Sequence, residues 1–115
     1  MHLTNCNSVE PFTGDDGSII REFARLPGHT LAEIRHPAGT ASREHYHTLA
    51  EEVYLVLDGG GEVRIDGETL PIGPGDLIEI VAGQRHKLWQ RGGGDLILLV
   101  TCVPAYDPRE VVFTE

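Results

Sequence analysis

Apolar and polar residues alternate along most of this chain, in short runs separated by glycine, proline and aspartate. Successive side chains of a β-strand point to opposite faces of a sheet, so this alternation is typical of half-buried strands. No window shows a convincing helical period, although residues 19–26 also allow a helical interpretation. The pattern predicts strands at 19–26, 30–36, 45–47, 52–57, 61–66, 76–80, 86–90, 96–103 and 111–114.

Turn signals lie between the predicted strands. Pro27-Gly28 and Asp66-Gly67 are typical turn pairs, and the second is a strong hairpin signal. Glycine triplets at 59–61 and 92–94 and the run 70–75 are predicted as further turns. The 14 glycines and 7 prolines therefore favour many short strands joined tightly. The fold class predicted is all-β, with two facing antiparallel sheets forming a sandwich or barrel.

The length of 115 residues predicts one domain, because such a chain buries one core but not two. Residues 1–18 are polar and turn-rich, and we expect an irregular N-terminal arm there, followed by a single domain over 19–115. The apolar run 96–103 predicts a fully buried strand, and the strand at 52–57 should have its outer face covered. The apolar tail at 111–113 and Trp89 predict a homodimer, since domains rarely leave such strands uncovered.

Candidate chemistry is concentrated in the segment 39–59. His45 and His47 lie two positions apart, so an extended strand places both imidazoles on one face. The carboxylates Glu51 and Glu52 open the next predicted strand, and His86 opens another. Two imidazoles and a carboxylate from adjacent strands suit a divalent metal such as Zn, Fe, Mn or Ni. A His-x-His pair taken alone is more often a surface feature or a satisfied core pair.

The joint spacing of these residues resembles the first sequence motif of the cupin family. Five residues of this chain occupy the positions of the motif: Gly39, His45, His47, Glu52 and Gly59. They are separated by five, one, four and six residues, as in the motif. The match selects Glu52 over its neighbour as the carboxylate of the site. Glu51 is then expected to be exposed.

The second cupin motif is matched in part. Gly75, Gly83 and His86 resemble its glycines and its histidine. Val81 stands where the family usually has proline, and Gln90 where it usually has asparagine. Neither position is a metal ligand in the family. The resemblance, which covers residues 30–103, implies a small jelly-roll β-barrel with one divalent transition metal near an open mouth, held by His45, His47, Glu52 and His86.

The resemblance implies a range of functions. Cupins include metal-dependent isomerases, lyases and decarboxylases, and Lewis-acid chemistry of this kind on a small oxygenated molecule is the function that we expect. An Fe(II)-dependent dioxygenase and a non-catalytic protein that binds a small molecule or a sugar are the alternatives. A phenol and a guanidinium are candidates for proton handling or substrate binding, namely Tyr54 on the ligand face and Arg43 before His45. A buried structural tyrosine and a solvated arginine are the competing interpretations.

Charge and composition narrow the partners. The formal net charge of −9 argues against nucleic acid and anionic membranes as partners. No segment is apolar for long enough to cross a membrane, and the first residues lack the pattern of a signal peptide, so we expect a cytoplasmic protein. Cys6 and Cys102 show no metal-site spacing and are predicted to be reduced thiols. A small molecule is the expected ligand.

Overall fold

The computed structural model describes residues 1–115 and is almost entirely β-structure. Two helical turns of three residues each, Cys6–Ser8 and Pro108–Glu110, are the helical elements, and neither is long enough to cross a membrane. Every strand predicted from the alternation is present, including 19–26 as a strand rather than a helix. The eleven strands are β1 Phe12–Thr13, β2 Ile19–Leu26, β3 His29–His36, β4 His45–His47, β5 Glu51–Asp58, β6 Gly60–Ile65, β7 Glu68–Ile72, β8 Leu77–Ile80, β9 His86–Arg91, β10 Leu96–Val103 and β11 Val111–Phe113.

The strands form two antiparallel sheets, as predicted. One sheet has the order β1-β2-β3-β10-β5-β8 and the other β11-β4-β9-β6-β7. The core lies between them, because both sheets contribute to a single cluster of buried apolar side chains. Tyr54 and Val56 enter it from the first sheet, and Val63 and Leu88 enter it from the second. The candidate ligands at 45, 47 and 86 therefore share one sheet, while Glu52 faces them from the other.

Strand β10 is the centre of the larger sheet, where it pairs with β3 on one side and β5 on the other. Its inward residues Leu96, Leu98, Val100 and Cys102 are buried. The residues between them are only partly buried, and Val103 is exposed. The prediction of a fully buried strand is therefore correct for the inner face alone, because no third layer covers the outside of the sheet.

The outer face of β5 is likewise open, and the prediction that it is covered was wrong. Val53 and Leu57 on that face are 40% and 47% exposed, and Leu77 on the neighbouring β8 is also exposed. Apolar side chains on two neighbouring strands therefore face solvent. The homodimer remains a prediction, and this face is where we now expect it to form.

The C-terminal tail does not supply the uncovered dimer strand that was expected. Strand β11 pairs antiparallel with β4, opposite the two histidines of that strand. Val111 and Phe113 line the cavity inside the barrel, and only Val112 is exposed. Trp89, the other expected dimer residue, is half-buried beneath the Arg64 guanidinium, which lies 5.1 Å from its ring centre.

Two short strands were not predicted. Phe12–Thr13 pairs with the start of β2, so part of the N-terminal segment joins the sheet. Strand β7 runs through residues 70–72, which were expected to form a turn because of Pro71. Proline cannot donate to a central ladder, but β7 is an edge strand with one free side. The Asp66-Gly67 hairpin is confirmed, with positive φ angles of 48° and 86° at the two positions.

His36 is buried at the end of β3, and neither of its ring nitrogens has a hydrogen-bond partner. Burial lowers its pKa below the ordinary value of 6.5, against a weaker opposing effect of the Asp16 charge. The folded protein therefore holds His36 neutral, whereas the unfolded chain takes up a proton there below about pH 6.5. This contribution to stability is present above that pH and is lost as the pH falls.

Replacing His36 by leucine should remove this pH dependence. Between pH 7 and pH 5 the free energy of unfolding should fall in both proteins. The fall should be smaller in His36→Leu than in the wild type, by up to about 2 kcal/mol. Urea unfolding of the metal-free proteins at the two pH values measures this difference. Equal losses in both proteins would show that His36 is not the group that takes up the proton.

Candidate metal centre

Three imidazoles converge inside the barrel. Strand β4 directs His45 and His47 to one face, as its alternation requires, and His86 begins β9 directly opposite His45. All three side chains are buried, and one ring nitrogen from each lies within 4.8 Å of the other two. The fold therefore brings together the three histidines that the sequence predicted as ligands.

Strand β5 adds a carboxylate from the facing sheet. Glu52 Oε1 lies 2.9 Å from His47 Nε2 and 3.5 Å from His86 Nε2, and the Tyr54 hydroxyl donates a hydrogen bond to the same oxygen at 3.2 Å. Burial raises the pKa of Tyr54 well above its ordinary value, so this phenol is a donor at neutral pH. Tyr54 therefore orients Glu52. Glu51 is exposed, as expected.

The other nitrogen of each ring is fixed by an acceptor. The Nδ1 atoms of His45 and His86 lie 2.8 and 2.9 Å from the carbonyl oxygens of Arg43 and Gln84. These contacts assign the proton to Nδ1 and leave the Nε2 lone pair of each ring facing inward. The Nδ1 atom of His47 lies 2.8 Å from the carboxylate of Glu110. Three rings are thus held with Nε2 directed toward a common point.

The charges of the pair formed by Glu52 and His47 suit metal binding. Burial alone would raise the pKa of Glu52, but the hydrogen bond from His47 and the proximity of the His86 ring lower it to about 2. Burial alone would lower the pKa of His47, but its contacts with Glu52 and Glu110 raise it to about 8. The carboxylate is therefore ionised, and His47 carries the proton that a bound cation would replace.

The donor set fits a divalent transition metal. Burial and the neighbouring His86 lower the pKa of His45, so His45 is neutral and ready to donate its lone pair. The Nε2 atom of His86 is buried and has no hydrogen-bond partner. Buried polar atoms are rarely left unpartnered, and a cation between the three rings would satisfy this one. The three histidines can therefore hold a metal, namely His45, His47 and His86. Imidazole ligands suit Zn, Fe, Mn and Ni.

A narrow cavity of about 60 Å³ leads to this centre. It is lined by seventeen residues, seven of them wholly apolar, including Phe12, Val111 and Phe113. None of the lining residues is a lysine or an arginine. Apart from the ligands and Tyr54, its polar lining consists of Asp16, Ser18, Glu22, Thr30, Cys102 and Tyr106.

Arg43, which was expected near the site, lies elsewhere, and so does Gln90 of the second motif. Arg43 does not line the cavity; its guanidinium contacts the carbonyl oxygens of Asp15 and Glu115 and stacks 3.9 Å over the Phe113 ring. Arg43 precedes the first residue of β4, so strand alternation does not set its direction. Gln90 does not line the cavity either, because its amide bonds three backbone groups of neighbouring turns, the carbonyls of residues 92 and 94 and the N–H of residue 39.

Three residues of the site were missed by the sequence analysis. Glu110 lies in a helical turn before β11, Tyr106 lies in the preceding loop, and Asp16 lies in the turn before β2. None belongs to a segment with strand periodicity, so the alternation gave no information about which side chains point inward. Burial raises the pKa of the Tyr106 hydroxyl to about 12, with a smaller contribution from Asp16. No hydrogen-bond partner occupies that hydroxyl, which leaves it free to donate to a ligand.

Comparison with known proteins agrees with the fold. The family model described as Cupin domain matches residues 32–102. A protein of unknown function from Methanocaldococcus jannaschii is 31% identical over 97% of this chain and 94% of its own length. An oxalate-binding protein from Thermotoga maritima is 26% identical over 72% of this chain and 69% of its own length.

Among solved structures, a variant of Pac13 from Streptomyces with uridine has a TM-score of 0.83 at 18% identity. The alignment covers 100% of this chain and 92% of Pac13, which is described as a nucleoside dehydratase. At this identity the similarity shows the fold. The family match over residues 32–102, together with the relative from Methanocaldococcus, shows that this chain belongs to the cupin family.

Proposed function

We propose that this protein is a metal-dependent enzyme that carries out redox-neutral chemistry, of the isomerase, lyase or decarboxylase type, on a small oxygenated molecule. The observation that carries the proposal is the convergence of three buried imidazoles and a carboxylate at the end of a cavity that also contains a free phenol. We include Glu52 as the fourth ligand because its ionised oxygen is 2.9 Å from His47 Nε2.

A divalent metal at this centre would supply a Lewis acid that polarises a carbonyl or hydroxyl group of the ligand. The chain supplies the proton handling. Tyr106 is protonated at neutral pH and unpartnered, which suits it to donate a proton or a hydrogen bond to a substrate oxygen. Tyr54 is bonded to Glu52 and buried, so its role is to position that carboxylate. The apolar lining of the cavity excludes water from the reacting group.

The relatives favour this class of reaction over oxidation. Pac13 is described as a dehydratase, and dehydration changes no oxidation state overall. The Thermotoga relative is named for binding rather than catalysis, which keeps the non-catalytic alternative open. An Fe(II)-dependent dioxygenase is the other alternative, because these histidine and carboxylate side chains would also hold Fe(II), which can supply chemistry with O₂.

Metal substitution under argon distinguishes these alternatives. In the Zn- and Ni-loaded protein, a hydroxy-ketone such as hydroxyacetone should lose the C–H protons next to its polarised carbonyl to solvent base and take up deuterium from D₂O, which NMR follows. Tyr106→Phe should lower the exchange rate at least tenfold, since a positioned acid contributes about 10²–10⁴. Tyr46→Phe is the matched control, because Tyr46 lies between two ligands but does not line the cavity. Turnover that requires both Fe(II) and O₂ would establish the dioxygenase alternative.

A further inference from the structure

The cavity in front of the metal centre carries negative charge that the reaction proposed above does not use. Besides Glu52, two carboxylates line it, Asp16 and Glu22, and no lysine or arginine does. A site built to hold a carboxylate or phosphate group normally offers an arginine or lysine. The lining offers none, so the metal would be the only cation that an anionic ligand could meet.

The two arginines close to the cavity are already bound to other groups. Arg25 holds both carboxylate oxygens of Glu22, at 2.7 and 2.9 Å, and also donates to the Tyr106 carbonyl oxygen at 3.0 Å. Arg43 contacts the carbonyl oxygens of Asp15 and Glu115. Glu22 is therefore neutralised at the rim, and neither guanidinium is free for a ligand.

Asp16 differs from Glu22 because no cation pairs with it. Its Oδ1 accepts hydrogen bonds from the Ser18 N–H at 3.0 Å and from the Ser18 hydroxyl at 2.5 Å, and it forms no ion pair. The Asp16 charge acts across the cavity on Tyr106. Burial makes the largest contribution to the raised pKa of Tyr106, and the Asp16 charge makes the second largest. An unneutralised carboxylate therefore belongs to the wall of the cavity.

The size of the cavity sets a second limit. The cavity volume, about 60 Å³, is well below the roughly 150 Å³ of a protein cavity that accepts benzene. A ligand can therefore place only a small end beside the metal, the rest extending toward the mouth. A bound divalent cation balances the Glu52 and Asp16 carboxylates, and the Glu110 carboxylate behind His47 adds one negative charge. An uncharged ligand leaves this balance unchanged, whereas a dianion makes the centre more negative in surroundings that solvate charge poorly.

On the basis of the proposed function, we infer that the substrate presents a small, uncharged, oxygen-bearing end to the metal, and that Asp16 excludes small dianions such as dicarboxylates. Asp16 acts here as a specificity-determining residue. The protein therefore differs in ligand class from its oxalate-binding relative from Thermotoga.

A series of ligands with the same shape and decreasing charge tests the inference. Oxalate, oxamate and oxamide carry two, one and no negative charges and have the same number of non-hydrogen atoms. Each is titrated into the Co(II)-loaded protein, and binding is followed by the visible spectrum of the metal. Asp16→Asn keeps the oxygen that accepts from Ser18 and removes only the charge. The variant should bind oxalate about tenfold more tightly than the wild type and oxamate about threefold more tightly, with oxamide unchanged.

Asp15→Asn is the matched control, because Asp15 is exposed and does not line the cavity, yet its replacement removes the same net charge. It should leave all three affinities within about twofold of the wild type. Asp16→Ser retains an acceptor oxygen and provides a second variant should Asp16→Asn fail to fold. The inference is overturned if oxalate binds equally well to the wild type and the Asp16 variants, or if Asp15→Asn has the same effect. Co(II) content is measured first; a protein that binds no Co(II) refutes the proposed function and the inference with it.

Discussion

Replacement of Glu110 by glutamine is expected to weaken divalent-metal binding by about 10- to 100-fold. The Glu110 carboxylate lies 2.8 Å from His47 Nδ1. It also accepts hydrogen bonds from the backbone N–H groups of Leu49 and Ala50, at 2.6 and 3.0 Å. It thereby fixes both the orientation of the His47 ring and the connection between β4 and β5. Glutamine has one acceptor oxygen instead of two and carries no charge. The His47 ring therefore loses either its hydrogen-bond partner or the negative charge that makes its imidazole more basic.

Glu51→Gln is the control for the Glu110 variant. Glu51 is an exposed carboxylate beside Glu52 and makes no side-chain hydrogen bond, so its loss removes the same charge at a similar position in the chain. Competition with a chromogenic Zn chelator gives both affinities. If Glu110→Gln binds Zn as tightly as Glu51→Gln, the carboxylate does not support the metal site.

Replacement of Gly61 by alanine is expected to lower the free energy of unfolding by about 3 kcal/mol or more. Gly61 lies in β6 opposite Gln90 of β9, where the two backbones approach closely. A Cβ atom at this position would clash with the Trp89 carbonyl oxygen and lie 2.9 Å from Leu96 Cδ2. The nearest atom belongs to the backbone, so the strands themselves must separate to admit a methyl group.

Gly93→Ala tests whether the effect is specific to that contact. Gly93 belongs to the turn between β9 and β10, its φ is not positive, and a Cβ there would meet no atom within 4 Å. Its replacement should change the free energy of unfolding by less than about 1 kcal/mol. Urea unfolding of the three proteins measures both effects. Equal stabilities for the two variants would mean that the strands do not approach at Gly61 as closely as described.

The strands were predictable from the sequence because each one has an inner and an outer face. Alternation placed β2, β3, β5 and β10 correctly, and Asp66-Gly67 identified a hairpin by its backbone requirement alone. Alternation could not show what lies outside the sheet. Val53 and Leu57 are as apolar as core residues, yet they face solvent, so the expectation of a covered face was wrong.

The histidine cluster was predictable for a similar reason. The two-residue spacing of His45 and His47 fixes their common face, and the family spacing selected His86 and Glu52 from distant parts of the chain. Residues in loops carried no such signal. Glu110 contacts His47 across 63 positions of sequence, and that proximity arises only when β11 pairs with β4. Arg43 has the right spacing but lies outside the strand, so its direction could not be inferred.

The most direct test of the account is the metal content of the purified chain after reconstitution with Zn, Mn, Fe(II) or Ni and removal of excess metal. We expect about one divalent ion per chain in the wild type. Replacement of His86 by alanine removes the ring whose Nε2 is buried without a partner, and this variant should lose the ion. A wild-type chain that stays metal-free, or a His86→Ala chain that retains its full content, would contradict the metal centre.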